Sequence, residues 1–146
     1  MATPLAPNHA GITVEDIRHI IFDRSPADNQ IDMDLSWTDP EIMQAMRFCA
    51  MSYNAITPYV DRRLATTLPN EMTFIHGTIY HLYLSRHAQL IRSDLDYTAG
   101  NMTADRVKRF IAHLEKGMEM HKAEFDARAK ERKLFINLNA AYRQVG

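Results

Sequence analysis

The chain has few cysteines and few glycines, the residues on which thiol catalysis and phosphate-binding loops depend. It has one cysteine, and its five glycines are isolated, so no glycine-rich loop that could cradle a phosphate is present. Cys49 cannot form an internal disulfide and lies in a helical apolar pattern, which predicts a buried structural thiol rather than a nucleophile. No G-x-S-x-G motif occurs, and no carboxylate stands in an apolar setting that raises its pKa. The sequence predicts no catalytic residue and no enzyme.

Metal-binding patterns are also missing. There are seven histidines but no HExxH motif, and five residues of helix turn His76 and His81 well apart, by about 500°. A di-iron bundle needs two carboxylate-x-x-His pairs, and the chain has only Asp16 and His19. The stretch "DMDLS" begins like a calcium loop but lacks the glycine and glutamate that such a loop requires. We therefore expect no metal and no cofactor, and the histidine spacing opposes a third interpretation, a helical metalloenzyme.

No apolar run in the chain approaches about 18 residues, the length that suggests a membrane span. Its N-terminus lacks the basic start and apolar centre of a signal peptide. The sequence thus predicts a protein made in a cytoplasm, with no membrane partner.

The formal net charge of −1 hides an asymmetry along the chain. Residues 1–40 hold seven acidic and two basic side chains, whereas residues 105–133 hold nine basic and six acidic ones. Opposite charge at two ends of a subunit suits head-to-tail association of identical copies, and two separately solvated faces are the simpler alternative. The candidate contacts between subunits are Asp28, Asp32, Asp34, Arg106, Lys108 and Arg109.

Apolar residues recur at steps of three and four, which predicts an all-α domain of about four helices. Residues 1–12 read as a flexible lead, 13–132 as the helical domain and 133–146 as a C-terminal arm. Thr13 and Thr38 are expected to cap the first two helices, the third helix to span roughly 71–93, and the fourth to run from Thr103 to about Glu131. Gly77 is expected to mark a close helix crossing.

The arm, "KLFINLNAAYRQVG", has the period of a half-buried β-strand. Every second residue from Leu134 is apolar; the set is Leu134, Ile136, Leu138, Ala140 and Tyr142. Such a segment either folds back on its own domain or adds itself as a strand to a sheet in another molecule. The second outcome makes the protein an assembly component.

Nucleic-acid binding is the alternative with a direct signal. The basic runs "RVKRF" and "RAKERK" both fall in the fourth helix. Acidic residues interrupt the second run, and ion pairs at i,i+4, such as Glu124–Arg128 and Asp126–Lys130, favour a solvated helix face. A small helical DNA-binding or regulatory protein therefore stays as the second interpretation.

Several segments together resemble the head–tail connector, or adaptor, proteins of tailed bacteriophages. They are "DRSPADN" before an acidic loop, "WTDPEIMQAM", "LDYTAGN" before a helix rich in both charges, and the terminal "INLNAAY". The resemblance spans about Val14 to Tyr142.

The resemblance implies a virion structural protein of the phage neck. Members of the connector family form rings, typically dodecamers, that dock on the portal protein, extend the DNA channel and meet the next neck or tail protein. DNA passes through such a channel without sequence-specific contacts. The resemblance further implies that Leu134, Ile136, Leu138 and Tyr142 enter portal pockets, with Phe135 facing the ring or the opposite side. Whether the arm pairs with the portal or with a neighbouring subunit stays open.

Overall fold

The computed structural model describes residues 11–23, 25, 36–94 and 104–144. Its helices are α1 (Val14–Ile20), α2 (Asp39–Asn54), α3 (Met72–Asp94) and α4 (Ala104–Gln144), with one 3₁₀ turn at Ala65–Thr67. The described part of the chain contains no strand, only an isolated bridge between Gly11 and Pro69. The prediction of an all-α domain with four helices is confirmed.

The starts of α1 and α2 follow from local chemistry, as predicted. The Thr13 hydroxyl accepts a hydrogen bond from the Asp16 N–H at 3.2 Å, and the Asp16 carboxylate accepts from the Thr13 N–H at 2.8 Å. Thr38 and Glu41 form the same reciprocal pair at 3.4 and 2.7 Å. These capping boxes satisfy backbone donors that a helix start leaves without a partner.

The core lies where α2, α3 and α4 meet. On α2, the apolar residues that recur at steps of three and four are buried in full; they are Ile42, Ala45, Met46, Cys49 and Tyr53. They pack against Phe74, Ile79 and Leu82 of α3 and against Phe125 and Ala129 of α4. Burying a large apolar side chain contributes about 1.5–3 kcal/mol, so this cluster supplies the main stabilisation of the bundle.

A buried arginine holds α1 against the start of α2. The Arg18 guanidinium donates to the Asp23 carboxylate at 3.0 Å, to the Trp37 carbonyl at 2.8 Å and to the Asp39 carboxylate at 2.5 Å. Because Arg18 is almost fully buried, these partners offset the cost of removing its charge from water. Asp23 and Asp39, two of the seven acids in residues 1–40, are therefore used inside the subunit.

The extended conformation predicted for the arm is wrong for residues 133–144. These residues continue α4 without a break, so the expected end near Glu131 and the domain boundary at 133 both fall inside one helix. The segment contains no proline or glycine before Gly146 that could end the helix. Because the hydrogen-bonded turns before it are already formed, each further residue adds a helical bond without a new nucleation cost.

Gly77 is the closest point of the three-helix contact, as predicted. A Cβ atom at this position would lie 2.5 Å from the Cys49 sulfur of α2 and 2.7 Å from the Phe125 ring of α4. Both neighbours are themselves buried, so neither can move aside freely.

Replacing Gly77 with alanine is therefore expected to destabilise the protein. The added methyl forces α2 or α4 outward, which costs about 1–3 kcal/mol of stability. Alanine stabilises a helix by about 1 kcal/mol relative to glycine, and this gain offsets part of that cost. Urea unfolding followed by circular dichroism measures the net change. Ser85→Ala, at an exposed position of the same helix, serves as the control and should stay within about 0.5 kcal/mol of the wild type. A Gly77→Ala variant more stable than the wild type would contradict this account of the crossing.

Candidate functional site

Cys49 is a buried thiol, as the sequence predicts. It is fully buried, its sulfur lies 3.5 Å from the Phe74 carbonyl, and burial raises its pKa to about 12. A thiol with this pKa is protonated at neutral pH and is neither a nucleophile nor a metal ligand.

The three histidines of α3 point to different partners. His87 bonds Glu115 at 3.0 Å, His81 bonds Ser52 at 3.0 Å, and His76 bonds His121 at 2.8 Å. The described residues contain no group of three or more His, Cys, Asp or Glu side chains that could hold a metal ion.

The Ser52–His81 pair is a feature that sequence reasoning missed, since the two residues are 29 positions apart. A serine Oγ bonded to a histidine Nε2, as in Ser52 and His81, is the arrangement that a nucleophile and its base adopt in some enzymes. Burial lowers the pKa of His81, which keeps its ring neutral. Both residues, however, lie inside long helices, where neighbouring backbone N–H groups are already bonded along the helix. Those N–H groups cannot stabilise an oxyanion, so the pair is better explained as packing between α2 and α3.

Four basic residues of α4 bind groups of the protein itself. Arg128 pairs with Glu124 at 2.8 Å, which confirms that predicted i,i+4 pair. Asp126 pairs with Lys122 at 2.6 Å, whereas Lys130 was the predicted partner. Arg132 and Lys133 both contact residues outside α4, so the run "RAKERK" offers phosphate less than its composition indicates.

The candidate charge contacts between subunits are described only in part. Lys108 and Arg109 are exposed on the second turn of α4. Arg106 lies in α4 but its side chain is outside the described part, as are Asp28, Asp32 and Asp34. Their predicted role in head-to-tail association stays a prediction.

The main exposed apolar surface within the described part of α4 lies on its last three turns. The exposed fractions are 55% for Leu134, 66% for Phe135, 56% for Leu138 and 76% for Tyr142. We call these four side chains the α4 stripe. With about 100° between successive residues, they span about 100° of the helix circumference. That width is typical of a helix face that packs against another surface.

The α4 stripe points away from the body of the protein. Leu134, Leu138 and Tyr142 each follow a buried residue by nine positions; those residues are Phe125, Ala129 and Lys133. Nine residues turn the helix by about 900°, which places each stripe residue on the opposite side from its buried counterpart. The domain that buries Phe125 and Ala129 therefore cannot cover the stripe.

The helix also changes how the predicted arm residues are grouped. Strand alternation would put Leu134, Ile136, Leu138 and Tyr142 on one side and Phe135 on the other. In the helix, Ile136 is half-buried on the inner face and Phe135 joins the outer stripe. The strand grouping of these residues is wrong for the physical reason that a helix has a period of 3.6 residues, not two.

Two cations fix the helix immediately before the stripe. Arg132 donates to Asp61 at 3.0 Å and to both carboxylate oxygens of Glu71 at 2.5 Å. Lys133 is fully buried; its Nζ donates to the Ile56 carbonyl at 2.8 Å and lies 4.6 Å from the centre of the Tyr53 ring. Both bind the segment between α2 and α3, so the position where the α4 stripe begins is rigidly held.

Asp61 is the centre of this anchoring. It accepts from Tyr53 at 2.8 Å as well as from Arg132, and it pairs with Arg63 at 2.7 Å. Burial opposes its ionisation, but the hydrogen bonds from Arg63, Tyr53 and Arg132 outweigh that effect and hold its pKa below the usual value.

Comparison with known proteins adds no relative. No protein-family model, no curated protein and no solved structure matches this chain. Among the residues that the structure describes, no helix is both long and apolar enough to cross a membrane.

The anchoring of α4 gives a stability prediction. Arg132→Ala leaves the mostly buried Asp61 and the Glu71 carboxylate without their shared partner, so we expect a loss of about 1–3 kcal/mol in the free energy of unfolding. Arg128→Ala, which removes an exposed ion pair on the same helix, should cost less than about 1 kcal/mol. Urea denaturation compares the two variants, and equal losses would show that the Asp61–Arg132–Glu71 cluster does not anchor the helix.

The His76–His121 pair predicts a loss of stability in acid. One Nδ1–H donates to the other Nδ1, so the pair tolerates one extra proton but not two. Burial lowers the pKa of both rings. Two smaller effects on the pKa of His76 oppose each other, since Glu124 of α4 raises it and Arg128 of α4 lowers it. His76 in turn lowers the pKa of His121 further. Because the unfolded chain binds more protons in this range, stability is fully present above the ordinary pKa of about 6.5 and falls as pH drops below it.

We expect the midpoint of urea unfolding to decrease when the pH is lowered from 7 to 5. The fall should be smaller in His121→Gln, which lacks one titrating ring, and unchanged in His113→Gln, at an exposed position of α4. An identical pH profile for wild type and His121→Gln would contradict the assignment.

Proposed function

We propose that this protein is a non-enzymatic structural component of the neck of a tailed bacteriophage. It is a head–tail connector that forms a ring on the portal protein, extends the DNA channel and links the capsid to the next neck or tail protein. It is made in the host cytoplasm and resides in the virion. The observation that supports this best is the α4 stripe, a large apolar face held out from the domain on a rigidly anchored helix.

The energetics of the stripe favour an assembly role. Each of its four side chains is already partly covered, so burying the remainder contributes less than the about 1.5–3 kcal/mol of a fully exposed side chain. The chain's own core lies on the opposite side of the helix. An exposed face of this kind on a soluble domain typically marks a protein–protein contact. A protein whose task is to join other proteins requires such a contact.

Recognition by this face uses a helix rather than an added strand. Leu134, Leu138 and Tyr142 follow one another at i, i+4 and i+8, the spacing of anchors on a helix that lies in an apolar groove. The nine residues 134–142 carry no charge, and charged residues are typically depleted at the centre of a protein interface.

A helical DNA-binding protein is the second candidate. Lys108 and Arg109 are exposed near the start of α4 and are open to a phosphate backbone. Such a protein should bind duplex DNA with an affinity that falls steeply with salt, and it should not require the α4 stripe.

The connector proposal is tested by assembly with the cognate portal protein, followed by co-sedimentation and electron cryo-microscopy. The full chain should form a ring on the portal. A chain ending at Lys133, which keeps both anchoring cations, and the double variant Leu134→Gln/Leu138→Gln should assemble at least about tenfold more weakly, corresponding to about 1.4 kcal/mol.

The matched control is Asn137→Ala/Gln144→Ala, which changes exposed polar residues of the same turns. It should assemble like the wild type. Equal assembly by the stripe variant and the wild type would remove the stripe from the mechanism. No complex with the portal by any form, together with salt-sensitive binding to duplex DNA, would favour the second candidate.

A further inference from the structure

The crossing of α2 and α3 carries a groove on the surface of the domain. A cavity of about 90 Å³ opens between the two helices near Phe48, and a second of about 210 Å³ opens further along, near Ile56 and Phe125. His81 lines both cavities, so they are neighbouring parts of one depression, which we call the α2–α3 groove. Its wall on α2 runs through Glu41, Gln44, Phe48 and Ser52.

The first half of the groove combines apolar and polar side chains, whereas the second half is lined by Ile56 and Phe125 together with the charged Lys122 and Asp126. Trp37 and Phe48 line its first half, and Phe48 is partly exposed there. Met51, which is largely exposed, stands three residues after Phe48 on α2. Along α2, the wall from Glu41 to Ser52 covers about 17 Å, whereas the stripe from Leu134 to Tyr142 covers about 12 Å.

We propose that the α4 stripe of one copy lies in the α2–α3 groove of the next copy. The stripe cannot enter the groove of its own chain, because Arg132 and Lys133 hold the preceding turn against the body and the stripe points away from it. A contact between two different surfaces of the same chain is head-to-tail, and it closes into a ring when the rotation between copies allows it. The inference therefore rests on the ring in the proposed function and specifies how the ring is held together.

Charge is consistent with this pairing. The stripe is uncharged and ends next to Arg143, which is exposed. The groove is bordered at its α2 N-terminal end by the carboxylate of Glu41, and its other end is lined by Lys122 and Asp126, which neutralise each other as an ion pair. A helix lying with Arg143 toward Glu41 brings apolar surface to apolar surface and opposite charges together at one end.

Pairing between two stripes is less well supported. A stable coiled coil needs apolar positions sustained over at least about three heptads. Here the apolar seam is preceded by Glu131, and the described helix ends at Gln144, so fewer than two heptads are available.

The buried area explains why assembly depends on a partner. Because the four side chains of the stripe are only partly exposed, covering them buries on the order of 400 Å² of accessible surface on the stripe side. A stable interface buries about 800 Å² on each partner. A single stripe–groove contact is therefore weak, and many contacts in a closed ring, templated by the portal, supply the rest.

Cysteine cross-linking tests this arrangement in the full chain. Leu138→Cys is mixed with a differently tagged Gln44→Cys protein, and a short bismaleimide joins the two thiols by adding each across a C=C bond. The native Cys49 does not interfere, because it is fully buried. The mixed adduct should form at least about tenfold more than the adduct between Leu138→Cys and Glu119→Cys, which places a thiol at an exposed site elsewhere on α4.

The reaction is run on the protein alone at high concentration and again in the presence of the portal. Mixed adduct above the control in either sample supports the inference. A dominant Leu138→Cys homodimer would show stripe–stripe pairing and overturn it. A portal-bound ring without the mixed adduct would also overturn it, while leaving the connector function intact because the stripe would then face the portal.

Discussion

The architecture depends on one close contact, the meeting of α2, α3 and α4 at Gly77. Without a side chain at this position, the Cys49 sulfur and the Phe125 ring approach the backbone of α3 from two sides. The same approach buries one large aromatic residue from each helix, Tyr53, Phe74 and Phe125, and Phe125 also lines one end of the α2–α3 groove.

A second constraint sets where the domain ends and the helix continues. Arg132 and Lys133 join α4 to the segment between α2 and α3. Asp61 forms ion pairs and hydrogen bonds with several of the side chains around it. Beyond these residues the inner side of the helix meets little of the body, and the outer side carries the α4 stripe. The result is a rigid projection with an apolar face. Such a projection suits a protein whose function is assembly, since little conformational entropy is lost when a preformed helix binds.

The local pattern of the sequence was sufficient for the helices and their starts. The need for a glycine at position 77 comes from its contacts with Cys49 and Phe125, which are distant along the chain. The cap residues Thr13 and Thr38 and the apolar spacing of α2, by contrast, follow from side-chain chemistry and spacing along the chain. These features depend on residues a few positions apart, and such interactions are visible in one dimension. The segment after Lys133 was different, because "LFINLNAAY" fits a period of two as well as a helical stripe. Its apolar residues satisfy both patterns, and the preceding helix decides between them.

The sequence by itself determined an all-α body and a C-terminal segment rich in apolar side chains. Continuation of α4 from its preceding turns makes this segment helical and groups Phe135 with Leu134, Leu138 and Tyr142, whereas only the tertiary structure decided that their common face points away from the core. It also decided which charges are free to meet a partner, since Asp23, Asp39, Arg132 and Lys133 bind within the subunit. The physical reason is distance along the chain: Arg132 and Glu71 are 61 residues apart and Lys133 and Ile56 are 77 apart, and only the folded bundle brings them together.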